Sequence, residues 1–360
     1  MLEVPENRVG RGARTIRPAV AVLPATSARP AGDPVVFMEG GPGGDAKALG
    51  IARWNVYGYS YGTELALTYL RRHPEGIRSV AIDSVVPPDV VSLPWTWDSA
   101  REGIGAVLAA CAAQPACGSR YPDLPGTLSR QVRRLEAHPL RLTARPPSGG
   151  DPVEVVLDGG ALVDLLVANA VKAVDVPAAL DELARGNPER FARARAAGAR
   201  TPVGETAHGL AQSVACGEWV PDNSRRDLLE AGREAFPDWP AQVLAQAPQL
   251  PFEHRVCRAR DVPDRTDVQR VATVSDVPVL LLSGTFDAKS GAAWAPYAAR
   301  TLSRPTTVRI PGVGHWVVPR SPCAQRVLAS FLADPAAPDT SCAAALAPEP
   351  FTVTPAPESS

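Results

Sequence analysis

The stretch Trp54-Asn55-Val56-Tyr57-Gly58-Tyr59-Ser60-Tyr61-Gly62-Thr63-Glu64-Leu65-Ala66-Leu67 passes from a strand-like run to a helix-like one across a single serine. Residues 53–59 carry aromatic and β-branched side chains that favour an extended backbone. From Thr63 to Arg72 the apolar Leu65, Ala66, Leu67, Tyr69 and Leu70 suit a helix packed on a sheet. Between the two lies a G-x-S-x-G, Gly58 to Gly62. A tight strand-to-helix turn lifts a serine Oγ clear of the sheet, and the two glycines let neighbouring backbone approach. The N–H of Tyr61, at the helix start, is then expected to face an oxyanion developing on a carbonyl attacked by Ser60.

Working outward, residues 15–23, 34–39 and 77–84 also read as strands. Strand, helix and strand in succession indicate a mostly parallel α/β sheet. After Pro87-Pro88 the texture changes, and from Trp95 to Arg270 the chain reads as mostly helical, with pieces at 100–113, 124–137, 161–171, 177–185 and 207–214. Sheet character returns at 277–283 and 307–311, before a last helix at 324–332. The expected division is a sheet core from residues 1–90 and 271–345, a helical cap insertion over 91–270, and a mobile tail over 346–360.

A nucleophilic serine needs a base, and the base an orienting acid. Of five histidines, His73 and His138 stand in helix-exit loops, and His208 and His254 in the insertion. His315, in Gly312-Val313-Gly314-His315-Trp316, follows the last strand, where such a sheet presents its base. Asp287 follows the apolar run Val277-Pro278-Val279-Leu280-Leu281-Leu282, and Asp83, at the end of the strand over 77–84, is its rival for the same histidine. The order Ser60, Asp287, His315 is that of the α/β hydrolases. Gly40-Gly41-Pro42-Gly43-Gly44 follows the strand Val35-Val36-Phe37 and is expected to supply a second oxyanion donor, the N–H of Gly41. It lacks the Lys-Ser/Thr of a phosphate loop, which argues against nucleotide binding.

Composition narrows the alternatives. Lys+Arg 37 against Asp+Glu 38 leaves a net charge of −1, which excludes a dominant polyphosphate-binding surface and so a nucleic-acid partner. No apolar run approaches the roughly 20 residues that cross a bilayer. The six cysteines, Cys111, Cys117, Cys216, Cys257, Cys323 and Cys342, contain no C-x-x-C pair and have no histidine pair beside them, which argues against zinc. Nearest-neighbour pairing, 111–117, 216–257 and 323–342, is the simplest arrangement and points to an oxidising compartment; buried free thiols in a cytosolic enzyme are the alternative. Met1 to Pro5 shows neither the basic start nor the apolar stretch of a signal peptide, so the expectation of export rests on the cysteines. No metal and no cofactor is expected.

With these pieces in place the chain resembles the proline-iminopeptidase-like α/β hydrolases, in particular the secreted tripeptidyl-aminopeptidase branch of actinobacteria. The resemblance is carried by Val4-Pro5-Glu6-Asn7-Arg8, Glu39-Gly40-Gly41-Pro42-Gly43-Gly44, the stretch from Trp54 to Gly62, Ser283-Gly284 with Asp287, Gly314-His315, and the segment from Cys323 to Cys342. It implies an α/β-hydrolase fold with a helical cap, N-terminal exopeptidase or esterase activity, and Ser60, Asp287 and His315 as the triad. Three departures stand out. Glu39 replaces a frequent His, and Ala288-Lys289-Ser290 replaces a frequent Pro and Thr. Only 13 residues separate Gly44 from Gly58, where relatives place a further strand and helices.

An aminopeptidase must hold a free ammonium, which calls for a carboxylate by the cleft, and in relatives the cap supplies it. Glu218, in Cys216-Gly217-Glu218-Trp219, is the leading candidate, ahead of Glu253 and Glu205. A carboxylesterase on small esters needs only an apolar acyl pocket, for which Trp95, Trp97 and Trp219 are available. A third reading is a degenerate hydrolase fold retained for binding, with the missing block as its cause. The expected species is a monomer acting on a peptide or small ester.

Overall fold

The structure is a computed structural model that describes residues 4–5, 15–16, 23–24, 33–38, 53–198, 208–250, 253–259 and 262–354. Strands β1 (Val4–Pro5) and β2 (Thr15–Ile16) form a short antiparallel ladder. The main sheet contains β3 (Val35–Met38), β4 (Trp54–Tyr59), β5 (Ile77–Asp83), β8 (Val279–Gly284) and β9 (Pro305–Ile310). They lie in the order β3-β4-β5-β8-β9, and every neighbouring pair is parallel. Strands β6 (Leu140–Ala144) and β7 (Val153–Leu157) pair antiparallel within the insertion, a hairpin that the reading of a mostly helical segment did not contain.

The apolar runs at the sheet centre follow from cover on both faces. All six residues of β8 are buried, and they alternate between two cores. Val279 and Leu281 join Val56, Val80, Ile82 and the helix α1 (Tyr61–Arg72), which contributes Leu67 and Leu70. Leu280 and Leu282 join Ala81, Val308 and Ile310, covered by Val327 and Phe331 of the helix Pro322–Ala333. Each such leucine stabilises the fold by about 2 kcal/mol on leaving water. The described residues give β3 one partner, β4, with Val35 and Phe37 about half exposed at 48% and 49%. The Gly-rich run at 40–44 lies outside the described residues, as does most of the short connection after it.

Residues 84–278 leave the sheet between β5 and β8 and build a core of their own. Its frame is α2 (Ser92–Ala113) with the helices Leu124–Ala137, Gly159–Val167, Val176–Ala184 and Arg225–Ala235. Trp97, Leu135, Leu162, Leu180 and Phe191 are fully buried there. This core also takes in Phe286 and Ala288, which flank Asp287, so the insertion packs directly on the loop after β8. The cysteines pair as Cys111–Cys117, Cys216–Cys257 and Cys323–Cys342.

Of the tail over 346–360, residues 346–354 are described, and several of them contact the insertion. Phe351 is buried against the insertion, the N–H of Thr352 donates to Val174 O at 2.9 Å, and that of Thr354 to Tyr121 Oη at 3.0 Å. One apolar anchor flanked by backbone hydrogen bonds fastens residues 348–354, which a composition of Ala, Pro, Glu and Thr conceals.

Candidate active site

Ser60 sits between the last residue of β4 and the first of α1, with φ 53° and ψ −128°. A left-handed backbone at a side-chain-bearing residue costs about 1–3 kcal/mol and persists only where its surroundings enforce it. Here the Ser60 N–H donates to Asp83 O at 3.0 Å, while its carbonyl accepts from the Thr63 N–H at 2.9 Å and from Thr63 Oγ1 at 2.7 Å. A Cβ on Gly58 would collide with the carbonyl of Gly62, so the first glycine of the motif is a steric requirement. Tyr61 is the first residue of α1, so its N–H has no acceptor within the helix. The other expected oxyanion donor, Gly41, lies outside the described residues.

Asp287 and His315 meet across the ends of β8 and β9. His315 Nδ1 lies 3.0 Å from Asp287 Oδ2 and 3.1 Å from Oδ1. The carboxylate is 1% exposed and also accepts from the N–H groups of Lys289 (2.9 Å) and Ser290 (3.1 Å) and from Ser290 Oγ (2.6 Å). Burial opposes its ionisation, but the charge and hydrogen bond of His315, with the bonds from Ser290, outweigh it and hold the carboxyl well below the usual range. The departure at residues 288–290 therefore leaves the acid fully served. The base loop is packed tightly, because a Cβ on Gly284 would collide with the carbonyl of Val313.

Asp83, the rival acid, has another task. Its carboxylate accepts from the N–H groups of Val317 and Val318 at 2.9 and 2.8 Å, from Tyr57 Oη at 3.1 Å and from Ser84 Oγ at 3.2 Å. Burial pushes its pKa up against those bonds. Asp83 thereby ties the chain just after His315 to the strand beside β4. The Tyr59 ring stacks on Trp316 at 4.5 Å between centroids, so the neighbours of Ser60 and His315 are in direct contact. Of the other histidines, His73 and His138 end helices, His254 Nε2 lies 3.3 Å from Asn223 O, and the side chain of His208 lies outside the described residues.

Glu218 stands on a five-residue π-helical turn, Ala215–Trp219, of a kind often found at functional sites. Its Oε2 accepts from Tyr61 Oη at 2.8 Å, which brings it to the residue after Ser60. Burial, and then the Glu218 charge, push the Tyr61 hydroxyl up. A cavity of about 410 Å³, lined by Leu210, Val214, Glu218, Val262, Pro263 and Arg265 among others, opens beside it. Sequence reasoning missed Glu64, which is 0% exposed with neither carboxylate oxygen hydrogen-bonded among the described residues. Burial and then the Glu218 charge push it up to about 8, against the pull of Arg270. A Glu on the buried face of an amphipathic helix was the available signal. Glu205 and the side chain of Glu253 lie outside the described residues. Trp97 is buried in the insertion core, and Trp95 packs edge-on against Trp294 and Tyr297, which leaves Trp219, edge-on to Tyr61, as the one tryptophan of the expected acyl pocket at the site.

Among the described residues no cluster of His, Cys, Asp and Glu has a metal-holding arrangement, and no helix is long and apolar enough to cross a membrane.

Strand order, elbow and acid–base loops define an α/β-hydrolase fold. Two family models agree with that fold. A family model described as alpha/beta hydrolase fold matches residues 46–111, and one described as TAP-like protein matches residues 247–342. Among solved structures the chain is similar to a proline iminopeptidase of Mycobacterium smegmatis, at 18% identity and TM-score 0.38, over 86% of this chain and 92% of that one. It is also similar to MGS-M2, an alpha/beta hydrolase enzyme from a Medee basin deep-sea metagenome library, at 13% identity and TM-score 0.31, over 87% and 91%. A third is the haloalkane dehalogenase DbeA of Bradyrhizobium elkani USDA94, at 16% identity and TM-score 0.31, over 81% and 70%. No curated protein matches the chain.

Proposed function

We propose that the protein is a serine hydrolase that releases N-terminal residues or short peptides from peptide substrates through an acyl-enzyme on Ser60. The observation that carries this reading is the buried Asp287–His315 pair, joined to the strained Ser60 turn through the Tyr59–Trp316 stack. With Nδ1 held by Asp287, Nε2 of His315 takes the Ser60 hydroxyl proton as Oγ attacks the carbonyl carbon. The N–H groups of Tyr61 and Gly41 bind the resulting oxyanion. The C–N bond then breaks, and the same proton passes from Nε2 to the leaving amine. Water, deprotonated by His315, repeats the sequence on the acyl-enzyme and frees Ser60. Asp287 holds the tautomer and stabilises the imidazolium, and Glu218 receives the substrate's ammonium.

In this reading residues 1–90 and 271–345 form the catalytic core and 91–270 the cap, and the three disulfides suit a secreted or cell-envelope monomer. The short Gly44–Gly58 connection leaves a shallower, wetter site that works more slowly than that of relatives with the longer connection. A fluorophosphonate probe tests the nucleophile without prior choice of substrate. Slow labelling of folded protein, lost in Ser60→Ala, is expected; no labelling favours a fold retained for binding. Amino-acyl anilides, N-blocked anilides and short p-nitrophenyl esters then separate aminopeptidase from carboxylesterase.

A further inference from the structure

Glu218 faces two ways. Its Oε2 accepts from Tyr61 Oη at 2.8 Å, and the residue also lines the cavity of about 410 Å³, a volume within the roughly 300–1,000 Å³ of small-molecule sites. The cavity forms where the helix His208–Val214 and the π-helical turn Ala215–Trp219 meet residues 262–265. These walls are fixed to one another. The N–H of Arg265 donates to Gly217 O at 2.7 Å, and a Cβ on Gly217 would stand 3.1 Å from Pro263 O and 3.3 Å from Val262 Cγ1. The Cys216–Cys257 bridge ties the turn to the helix Glu253–Cys257, and Arg270 Nη2 donates to Glu218 O at 2.7 Å.

Leu210, Val214, Val262 and Pro263 make the lining largely apolar, and among the described residues that line it two are charged, Glu218 and Arg265. Both can be reached from solvent, since Glu218 is half-buried and Arg265 exposed. The two do not neutralise each other. The Glu218 carboxylate takes its hydrogen bond from Tyr61, and the Arg265 guanidinium has no ion-pair partner among the described residues. An acid and a base left unpaired in one apolar cavity offer a cation site and an anion site to the same occupant. A ligand carrying only a positive charge would meet Arg265 at a like-charge cost, and one carrying only a negative charge would meet Glu218. A ligand with one charge of each sign satisfies both.

We propose that this cavity binds a small zwitterion, a free α-amino acid or a short unblocked peptide, with its ammonium on Glu218, its carboxylate on Arg265 and an apolar side chain against Leu210, Val214 and Val262. The proposal rests on the ammonium-binding role given to Glu218 and adds Arg265 as a second determinant. It does not depend on the chemistry of Ser60.

The test is calorimetric binding to Ser60→Ala protein, in which no peptide is consumed. The ligands are leucine and leucylglycylglycine, each also with its amine acetylated or its carboxylate converted to the amide. Blocking either end is expected to weaken binding about tenfold, as the loss of one charged hydrogen bond implies. Arg265→Gln should weaken the unblocked ligands about tenfold and leave the amides within about twofold, and Glu218→Gln should do the same with the acetylated forms as the insensitive ones. Arg265 is exposed, and Glu218→Gln keeps an acceptor for Tyr61 Oη, so both variants are expected to fold. Tighter binding of leucine identifies a released amino acid as the occupant and tighter binding of the tripeptide an uncleaved peptide; either supports the site. Equal affinity for blocked and unblocked forms, an Arg265→Gln protein that binds as its parent does, or no binding at about 10 mM ligand would overturn it. If these affinities hold and the wild type is not labelled at Ser60 by a fluorophosphonate, the hydrolase reading fails while the zwitterion site stands, so the two failures are distinguishable.

Discussion

Glu64 makes the stability of this fold depend on pH in a direction that can be worked out in advance. Its carboxyl is 0% exposed, has no hydrogen bond of good geometry among the described residues, and is pushed up from 4.5 to about 8 by burial and by the Glu218 charge, against the pull of Arg270 and Trp219. Below about pH 4.5 the group is protonated in both the folded and the unfolded chain, and it contributes nothing to the pH dependence. From there to pH 8 the unfolded chain releases the proton while the folded chain keeps it, so stability falls as pH rises. At about 1.4 kcal/mol per pH unit the loss reaches about 3 kcal/mol at pH 7 and about 5 kcal/mol above pH 8. Glu64→Gln has the shape of the protonated acid and does not titrate. It should match wild type near pH 4 and exceed it by about 3 kcal/mol at pH 7, a rise in Tm of roughly 6 °C for a domain of this size. Thermal or urea unfolding at pH 4, 7 and 8.5 reads the difference directly. A Glu64→Gln protein less stable than wild type at pH 7 would refute the reasoning, because it would mean that Glu64 is ionised and held by Arg270.

Three further outcomes are expected at the site. Asp287→Asn should cost on the order of 10⁴-fold in kcat by inverting the His315 tautomer, whereas Asp83→Asn should act mainly on folding stability; greater kinetic damage from Asp83→Asn would reverse the two roles. Glu218→Gln should depress turnover of free-amine substrates far more than of esters, since breaking one side of a buried carboxylate–ammonium contact costs about 3–5 kcal/mol; equal losses would remove Glu218 from substrate binding. Gly103→Ala on α2 should displace the acid loop, because its Cβ would stand 2.5 Å from Ala288 Cα. Its signature is a lower labelling rate at Ser60 in protein that still folds, and wild-type labelling would show that the loop yields freely.

How much was legible depended on whether the deciding interactions are local in the chain. The Ser60 turn was readable because a strand, a strained residue and a helix start are consecutive, and the steric need for Gly58 arises from Gly62 only four residues on. The apolar run ending at Leu282 read as a strand, and β8, buried along its whole length, is one. The three cysteine pairs follow chain proximity, with separations of 6, 41 and 19 residues. The hairpin β6–β7 was missed because its alternation spans two five-residue strands inside a helical context.

The sequence by itself determined the α/β class, the place of Ser60 at a strand–helix turn, and a shortlist of acids and bases at strand ends. Those features rest on propensity, periodicity and steric demands between near neighbours. Only the tertiary structure shows which carboxylate faces His315: Asp83 ends β5, Asp287 stands in the loop after β8, and the packing of residues 312–318 gives Asp287 the imidazole and Asp83 the backbone N–H groups. It also decided that Phe351 packs on the insertion, that Glu218 reaches Tyr61 from 157 residues away, and that Glu64 lies in a buried junction beside it. Each of these depends on contacts between distant segments, and burial by a distant segment sets the charge of a group in a way that no spacing along the chain encodes.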